Sequence, residues 1–290
     1  MLTKPRIDVL PVLALLSAAL FWGMLWYPMR WLAEHGMPGL WATMLLFASA
    51  LAAGLPVLWY RRRQLGRRPA VLLGLLVSSG WCNTAFILAV LEGQVVRVML
   101  LFYLSPVWAV LLARALLGER IPGAALMSLA LALGGALIIL WDPSMGIPWP
   151  QARGDWLAIT SGIAFALSNV FIRMAEEVSV ALKTVVSWAG VAMLAGVLLL
   201  GAGEAVRWSG ANVSAAVALG VFGIGVVGTC LVYGVTHMPV HRSAVILLFE
   251  VLVGAVSAQW LAGEMLGVRE VAGGLMIMVA AGMAGRHSSA

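Results

Sequence analysis

From Val9 to Met29 the chain carries no charged residue, and apolar runs of the same kind recur along its length. A helix needs about 20 such residues, at 1.5 Å each, to cross a ~30 Å hydrocarbon layer. No water reaches the backbone there, so only helices and closed barrels can span. A barrel strand would alternate apolar and polar residues over segments of roughly ten, and these runs are continuous. Charged residues make up only 10% of the chain and mean hydropathy is +1.01, against roughly 25% charged in soluble domains. The expected class is an all-α membrane protein. The first run exceeds the apolar region of a cleavable signal peptide, about 7–15 residues, and no soluble segment follows it. It reads as the first span.

Charges and helix breakers divide the chain into ten expected spans, at 9–31, 38–60, 70–91, 95–116, 121–141, 155–175, 180–201, 211–234, 241–262 and 268–285. The longest connection is 142–154. Basic residues orient the bundle, because cytoplasmic segments carry an excess of Lys and Arg. The cluster Arg61, Arg62, Arg63, Arg67 and Arg68, joined by Lys4, Arg6, Arg114, Arg120, Arg173, Lys183, Arg242 and Arg286, marks one side. Only Arg30, Arg97, Arg153, Arg207 and Arg269 fall on the other. Both termini are therefore expected in the cytoplasm. The net charge of +6 belongs to loops, and no nucleic-acid partner is implied. Cys82 and Cys230 lie within spans, with no spacing that indicates a metal site or a disulfide.

A repeat lies under the hydropathy. A shift of 145 places Gly80 on Gly225, Thr84 on Thr229, Arg97 on Arg242, and Gly118-Glu119 on Gly263-Glu264. A shift of 143 lays WGMLWYPMRWLAE (22–34) on FALSNVFIRMAEE (165–177). The chain then divides into a first five-helix unit, 1–141, a connecting loop, 142–154, and a second unit, 155–290. Five is odd, so the second unit enters from the opposite side. Inverted repeats of this kind are associated with transporters whose solute site lies between the repeats near the midplane.

LSPVWAVLLARALLGERI (104–121) and its second-half copy LFEVLVGAVSAQWLAGEML (248–266) resemble the drug/metabolite transporter superfamily, EamA type. The Phe21-Trp22-Gly23 triplet and the Gly134-Gly135 pair fit the same family. Within it, the aromatic-rich core is most similar to exporters of aromatic amino acids from bacterial inner membranes. The resemblance implies a multi-pass inner-membrane exporter of small solutes, aromatic and other uncharged amino acids foremost. Many relatives carry Glu-Pro where this chain has Glu250-Val251, whereas Ser105-Pro106 keeps the proline in the first half. Since proline kinks a helix, span 4 is expected to bend more than span 9.

Enzyme classes lack their residues. There is no HExxH and no GxSxG, the aspartates (Asp8, Asp142, Asp155) stand near span ends, and His35, His237, His241 and His287 lie at loops or span edges. Neither catalysis, a metal nor a cofactor is expected. What remains is a set of polar and aromatic side chains within spans. Glu250 is the one acid near a span centre, at a depth where ionisable groups are costly and face the bundle interior or a cavity. It either lines that cavity or braces span 9. Ser243 shares its stripe. Asn83 and Asn169 are intramembrane amides, and each serves either as interhelical glue or as a cavity group. Asn169 shares a helical face with Gly162 and Phe165, Trp81 and Thr84 make a comparable face on span 3, Tyr103 sits deep in span 4, and Trp22 pairs with Trp26. The candidate solute-binding residues are thus Trp22, Trp81, Asn83, Tyr103, Phe165, Asn169, Ser243 and Glu250. Phosphorylated solutes would call for buried Arg or Lys, and none is expected at the midplane. Beside amino-acid export stand efflux of hydrophobic drugs or cations and, as a different class, a non-transporting receptor or scaffold. The expected partners are the lipid bilayer and a small-molecule solute, and the sequence is compatible with a monomer.

Overall fold

The computed structural model describes residues 9–93, 95–141, 150–203, 205–262 and 267–286. Lys4, Arg6, Asp8, Asp142, Gly263, Glu264 and His287 lie outside the described residues. Among those described, every regular element is helical. In chain order the helices are α1 (Val9–Met24), α2 (Trp26–Glu34), α3 (Gly39–Arg61), α4 (Pro69–Glu92), α5 (Val95–Phe102), α6 (Ser105–Leu112) and α7 (Gly123–Leu140). They continue as α8 (Arg153–Met174), α9 (Val180–Ala202), α10 (Gly210–Ala218), α11 (Gly225–His237), α12 (Val240–Leu247), α13 (Phe249–Ala262) and α14 (Val268–Arg286).

Grouped across their breaks, nine stretches among the described residues are long and apolar enough to cross a bilayer, from Val9–Glu34 to Val240–Leu261. They fall on the first nine expected spans. The tenth corresponds to α14, whose apolar stretch among the described residues includes Val271–Met283, with Arg269 and Glu270 in its first turn. Proline starts several helices. Pro38, Pro122 and Pro239 stand at the N-caps of α3, α7 and α12, and Pro69 opens α4. The first N–H groups of a helix have no intrahelical partner, so a missing donor costs nothing there.

Span 4 breaks at Leu104, between α5 and α6, and span 9 breaks at Leu248, between α12 and α13. The backbone is alike at the two sites, with φ −72°, ψ −8° at Leu104 and φ −60°, ψ −14° at Leu248. Around Leu104, its N–H donates to Leu101 O (3.4 Å) and Val107 N–H donates to Leu104 O (2.9 Å). Around Leu248, its N–H donates to Val245 O (3.2 Å) and Val251 N–H donates to Leu248 O (3.1 Å). Both are tight i to i−3 turns. Span 9 breaks at the equivalent place although it lacks the proline. The break precedes Pro106 and Val251 in the two spans, and a tightened turn around a leucine makes it in each.

Helices of the two halves interleave in matching pairs. α4 lies along α8 as α1 lies along α11, α6 packs on α8 as α13 packs on α1, and α3 pairs with α9 and α7 with α14. Lipid tails are as apolar as the helices, so association rests on close packing through small residues. A Cβ added at Gly135 would lie 2.5 Å from Gly273 O, and one at Gly273 would lie 2.5 Å from Gly135 O. Gly190 meets the carbonyl of Leu76, and Gly220 meets that of Leu46. Both members of these contacts are displaced by 144 positions, so one register relates the halves in space.

Lys183, expected among the loop charges, is fully buried. Its ammonium donates to Ile172 O (3.0 Å) and to Thr236 Oγ1 (2.7 Å). The carbonyl end of α8 favours a cation at that place. Arg173 Nη1 donates to Thr236 O at 2.8 Å beside it.

Candidate solute site between the halves

The two helix breaks place one polar side chain of each half face to face. Tyr103 is the turn residue just before Leu104, and Glu250 lies in the first turn of α13 just after Leu248. The tyrosine hydroxyl donates to Glu250 Oε1 at 2.7 Å. Aromatic rings gather on the tyrosine side. The Phe102 ring lies 5.6 Å from Tyr103, 5.8 Å from Phe165 and 4.9 Å from Phe86, centroid to centroid. Trp22 and Phe249 pack against the same core cluster as Tyr103 and Phe165.

Two seams run away from this pair. Spans 1 and 9 form the first, where a Cβ at Gly23 would lie 2.6 Å from Glu250 O. Glu250, Gly254 and Ser257 share one face of α13 by i, i+4 and i+7 spacing. Ser257 Oγ accepts from Trp26 Nε1 at 2.9 Å and donates to Gly254 O, also at 2.9 Å. Spans 4 and 6 form the second. Arg97 Nε donates to both Asp155 oxygens at 3.1 Å, and both side chains are largely buried. Asp155 Oδ2 also accepts from Gln151 N (2.8 Å) and Ala152 N (3.2 Å), holding the start of α8. Farther along, a Cβ at Gly162 would lie 2.9 Å from Phe102 O, and Ala109 and Ala113 pack with Ala166 and Val170.

Of the sequence-predicted residues, Tyr103 and Glu250 meet directly, Phe165 reaches Tyr103 through Phe102, and Trp22 packs against the same core cluster. Asn169 lies one turn beyond Phe165, fully buried, with neither Nδ2 nor Oδ1 partnered. Ser243 is fully buried on the far side of the Leu248 break, and its hydroxyl donates to Val240 O on its own helix (2.9 Å). Trp81 is 37% exposed on the stripe Leu73, Val77, Trp81, and the Asn83 amide donates to Ser79 O of its own helix (3.1 Å). Sequence reasoning passed over Phe102, Ser257 and Asp155. The i+7 spacing from Glu250 was a signal for Ser257, and adjacency to Tyr103 was one for Phe102. Nothing local marks Asp155 as the partner of Arg97.

The chain is similar to known proteins along nearly all of its length. The sequence model of the EamA-like transporter family matches twice, over residues 9–141 and 152–285. An uncharacterized transporter of Archaeoglobus fulgidus is 28% identical over 228 residues, which is 77% of this chain and 79% of that protein. A protein of known crystal structure superposes with a TM-score of 0.79 at 20% identity, over 94% of this chain and 96% of the other. That last likeness concerns the fold.

Proposed function

Because the chain belongs to the EamA-like transporter family and is a multi-pass membrane transporter, we propose that it exports aromatic and other uncharged amino acids across a bacterial inner membrane. In this reading the chain has no catalytic activity. It is built of two inverted units, 1–141 and 155–290, joined by the connection 142–154, with both termini in the cytoplasm and α14 completing ten spans. The solute would pass between the units, at Tyr103 and Glu250.

The observation that carries the reading is the Tyr103–Glu250 hydrogen bond, made between the halves and walled by rings. Glu250 Oε2 accepts nothing from the described residues. That oxygen is free for an ammonium group, while Phe102, Phe165 and Trp22 offer an aromatic surface to an apolar side chain. The test is saturable flux of labelled phenylalanine, tryptophan and leucine in proteoliposomes, with a sugar phosphate as control. Absence of flux for every amino acid would overturn the reading. Orientation is checked separately, since a cysteine in the 61–68 loop should resist labelling from outside intact cells.

A second reading is favoured by the same carboxylate. An acid beside rings, with no cationic side chain among them, also suits lipophilic cations, which bind aromatic faces. Competition by such a cation against phenylalanine flux separates the two. Dominance of the cation, with no amino-acid flux, would replace the first reading by the second.

A further inference from the structure

Asn169 is fully buried, and both of its amide atoms lack a partner. A buried unpaired amide is costly, and such groups are rare in folded proteins. Its position tells where the amide points. Gly162, Phe165 and Asn169 share a face of α8 by i, i+3 and i+7 spacing. That face looks at span 4, because Gly162 meets Phe102 O and the Phe165 ring meets the Phe102 ring. Its neighbours Ala166 and Val170 close on Ala109 and Ala113 of span 4 and on Val240 and Ala244 of α12. The amide therefore enters a seam of small apolar residues. Trp108, packed against the same seam, also has an unpartnered Nε1.

The repeat sharpens the point. The shift of 143 that lays Trp22 on Phe165 also lays Trp26 on Asn169. Trp26 is the residue that latches the other seam, through Ser257. Counting back 145 from Ser257 reaches Leu112, which has no hydroxyl to give. One seam carries a polar latch, and in the other the equivalent polar side chain is left waiting.

The surrounding contacts permit this seam to part at the Asn169 end. Arg97 and Asp155 hold its opposite end. At the Asn169 end, polar contacts join the helices on each side of the seam. Glu119 joins span 4 to span 9, through Val240 N (3.2 Å) and His241 Nδ1 (3.1 Å). Arg173 and Lys183 join spans 6 and 7 to span 8 through Thr236. Arg67 and Arg68 of the 61–68 loop contact Glu177 just past α8, so this end lies on the face of that loop.

We propose that Asn169 is a solute-binding residue, uncovered when spans 4 and 6 part toward the face of the 61–68 loop, and that it receives the head group of an α-amino acid. The ligand class rests on the transport reading above. A side-chain amide offers a donor and an acceptor side by side. Nδ2 donates to the solute carboxylate and Oδ1 accepts from its ammonium, while Phe165, one turn away, lies toward the solute side chain.

The test uses the full-length protein with Cys82→Ala and Cys230→Ala. A cysteine placed by Asn169→Cys is expected to react with a membrane-impermeant maleimide from the face of the 61–68 loop and not from the other, and phenylalanine is expected to slow the reaction. In the parent chain, Asn169→Ala should raise KM for phenylalanine presented at that face about tenfold, the size of one hydrogen bond to a charged group. Its thermal midpoint should stay level or rise, since an unpaired amide is removed. Failure to label from either face, or labelling that phenylalanine leaves unchanged, overturns the proposal. So does an unchanged KM with a lowered thermal midpoint, the mark of an amide that only braces the fold. A parent protein that moves no amino acid defeats the transport reading, whereas the labelling pattern decides independently whether Asn169 lies on an opening seam.

Discussion

Tyr103 and Glu250 stand 147 residues apart in the chain and are joined by a 2.7 Å hydrogen bond. They meet because spans 4 and 9 each break one or two residues away, at leucines related by 144 positions. A straight helix would carry the two side chains past each other on separate faces. The breaks deliver a donor from one half to an acceptor from the other.

Removing the donor tests what that contact does. Tyr103→Phe keeps the ring and loses the hydroxyl, and should lower flux by about tenfold, the scale of one hydrogen bond to a charged group. Glu250→Gln keeps the shape and removes the titrating group. Its flux should lose whatever pH dependence the parent shows, while its thermal midpoint in detergent changes little. An unaltered pH profile in reconstituted Glu250→Gln would assign Glu250 to bracing span 9.

The Arg97–Asp155 pair is buried, so breaking it should be expensive. Asp155→Ala leaves the guanidinium without its carboxylate and removes the acceptor of two backbone N–H groups at the start of α8. A loss of about 3–5 kcal/mol is expected. A thermal-melt double-mutant cycle with Arg97→Met should recover part of it, since the double variant buries no lone charge.

Gly135 and Gly273 face each other across α7 and α14, each against the other's carbonyl. Any side chain there must push the helices apart. Gly273→Val should cost about 1–3 kcal/mol by overpacking, read as a lower melting midpoint. Gly282, which meets nothing within 4 Å, is the control, and Gly282→Ala should be neutral.

Lys183 holds the end of α8 to α11 through a carbonyl and a hydroxyl. Lys183→Met preserves the apolar stem and leaves Ile172 O and Thr236 Oγ1 without their donor. The melting midpoint should fall by an amount equivalent to about 1–3 kcal/mol. Arg173→Gln, on a partly exposed side chain, should cost less.

Much of this protein is determined by the one-dimensional pattern. Runs such as Val9–Met29 cannot fold in water and cannot cross a bilayer except as helices, so class and span positions follow from hydropathy alone. The two-part organisation is legible for the same reason, since Gly-Glu and arginine spacings recur along the line. The limits of that reading show at particular residues. Val251 stands where span 4 has a proline, yet span 9 also breaks, at Leu248. Glu250 announced itself as a costly acid, but the position of its partner in span 4 depended on two breaks that no local signal records. By sequence Asp155 is a charge near a span end and Lys183 one of the cytoplasmic cations, whereas the fold lays Arg97 beside the first and ends α8 against the second. Asn169 was visible as an amide in a span, while its lack of any partner is a property of the closed seam around it. Hydropathy decides where a segment sits along the membrane normal, because transfer free energy is summed residue by residue. Pairing across helices is decided only in three dimensions, because it depends on the rotation and breakage of helices that are far apart in the chain.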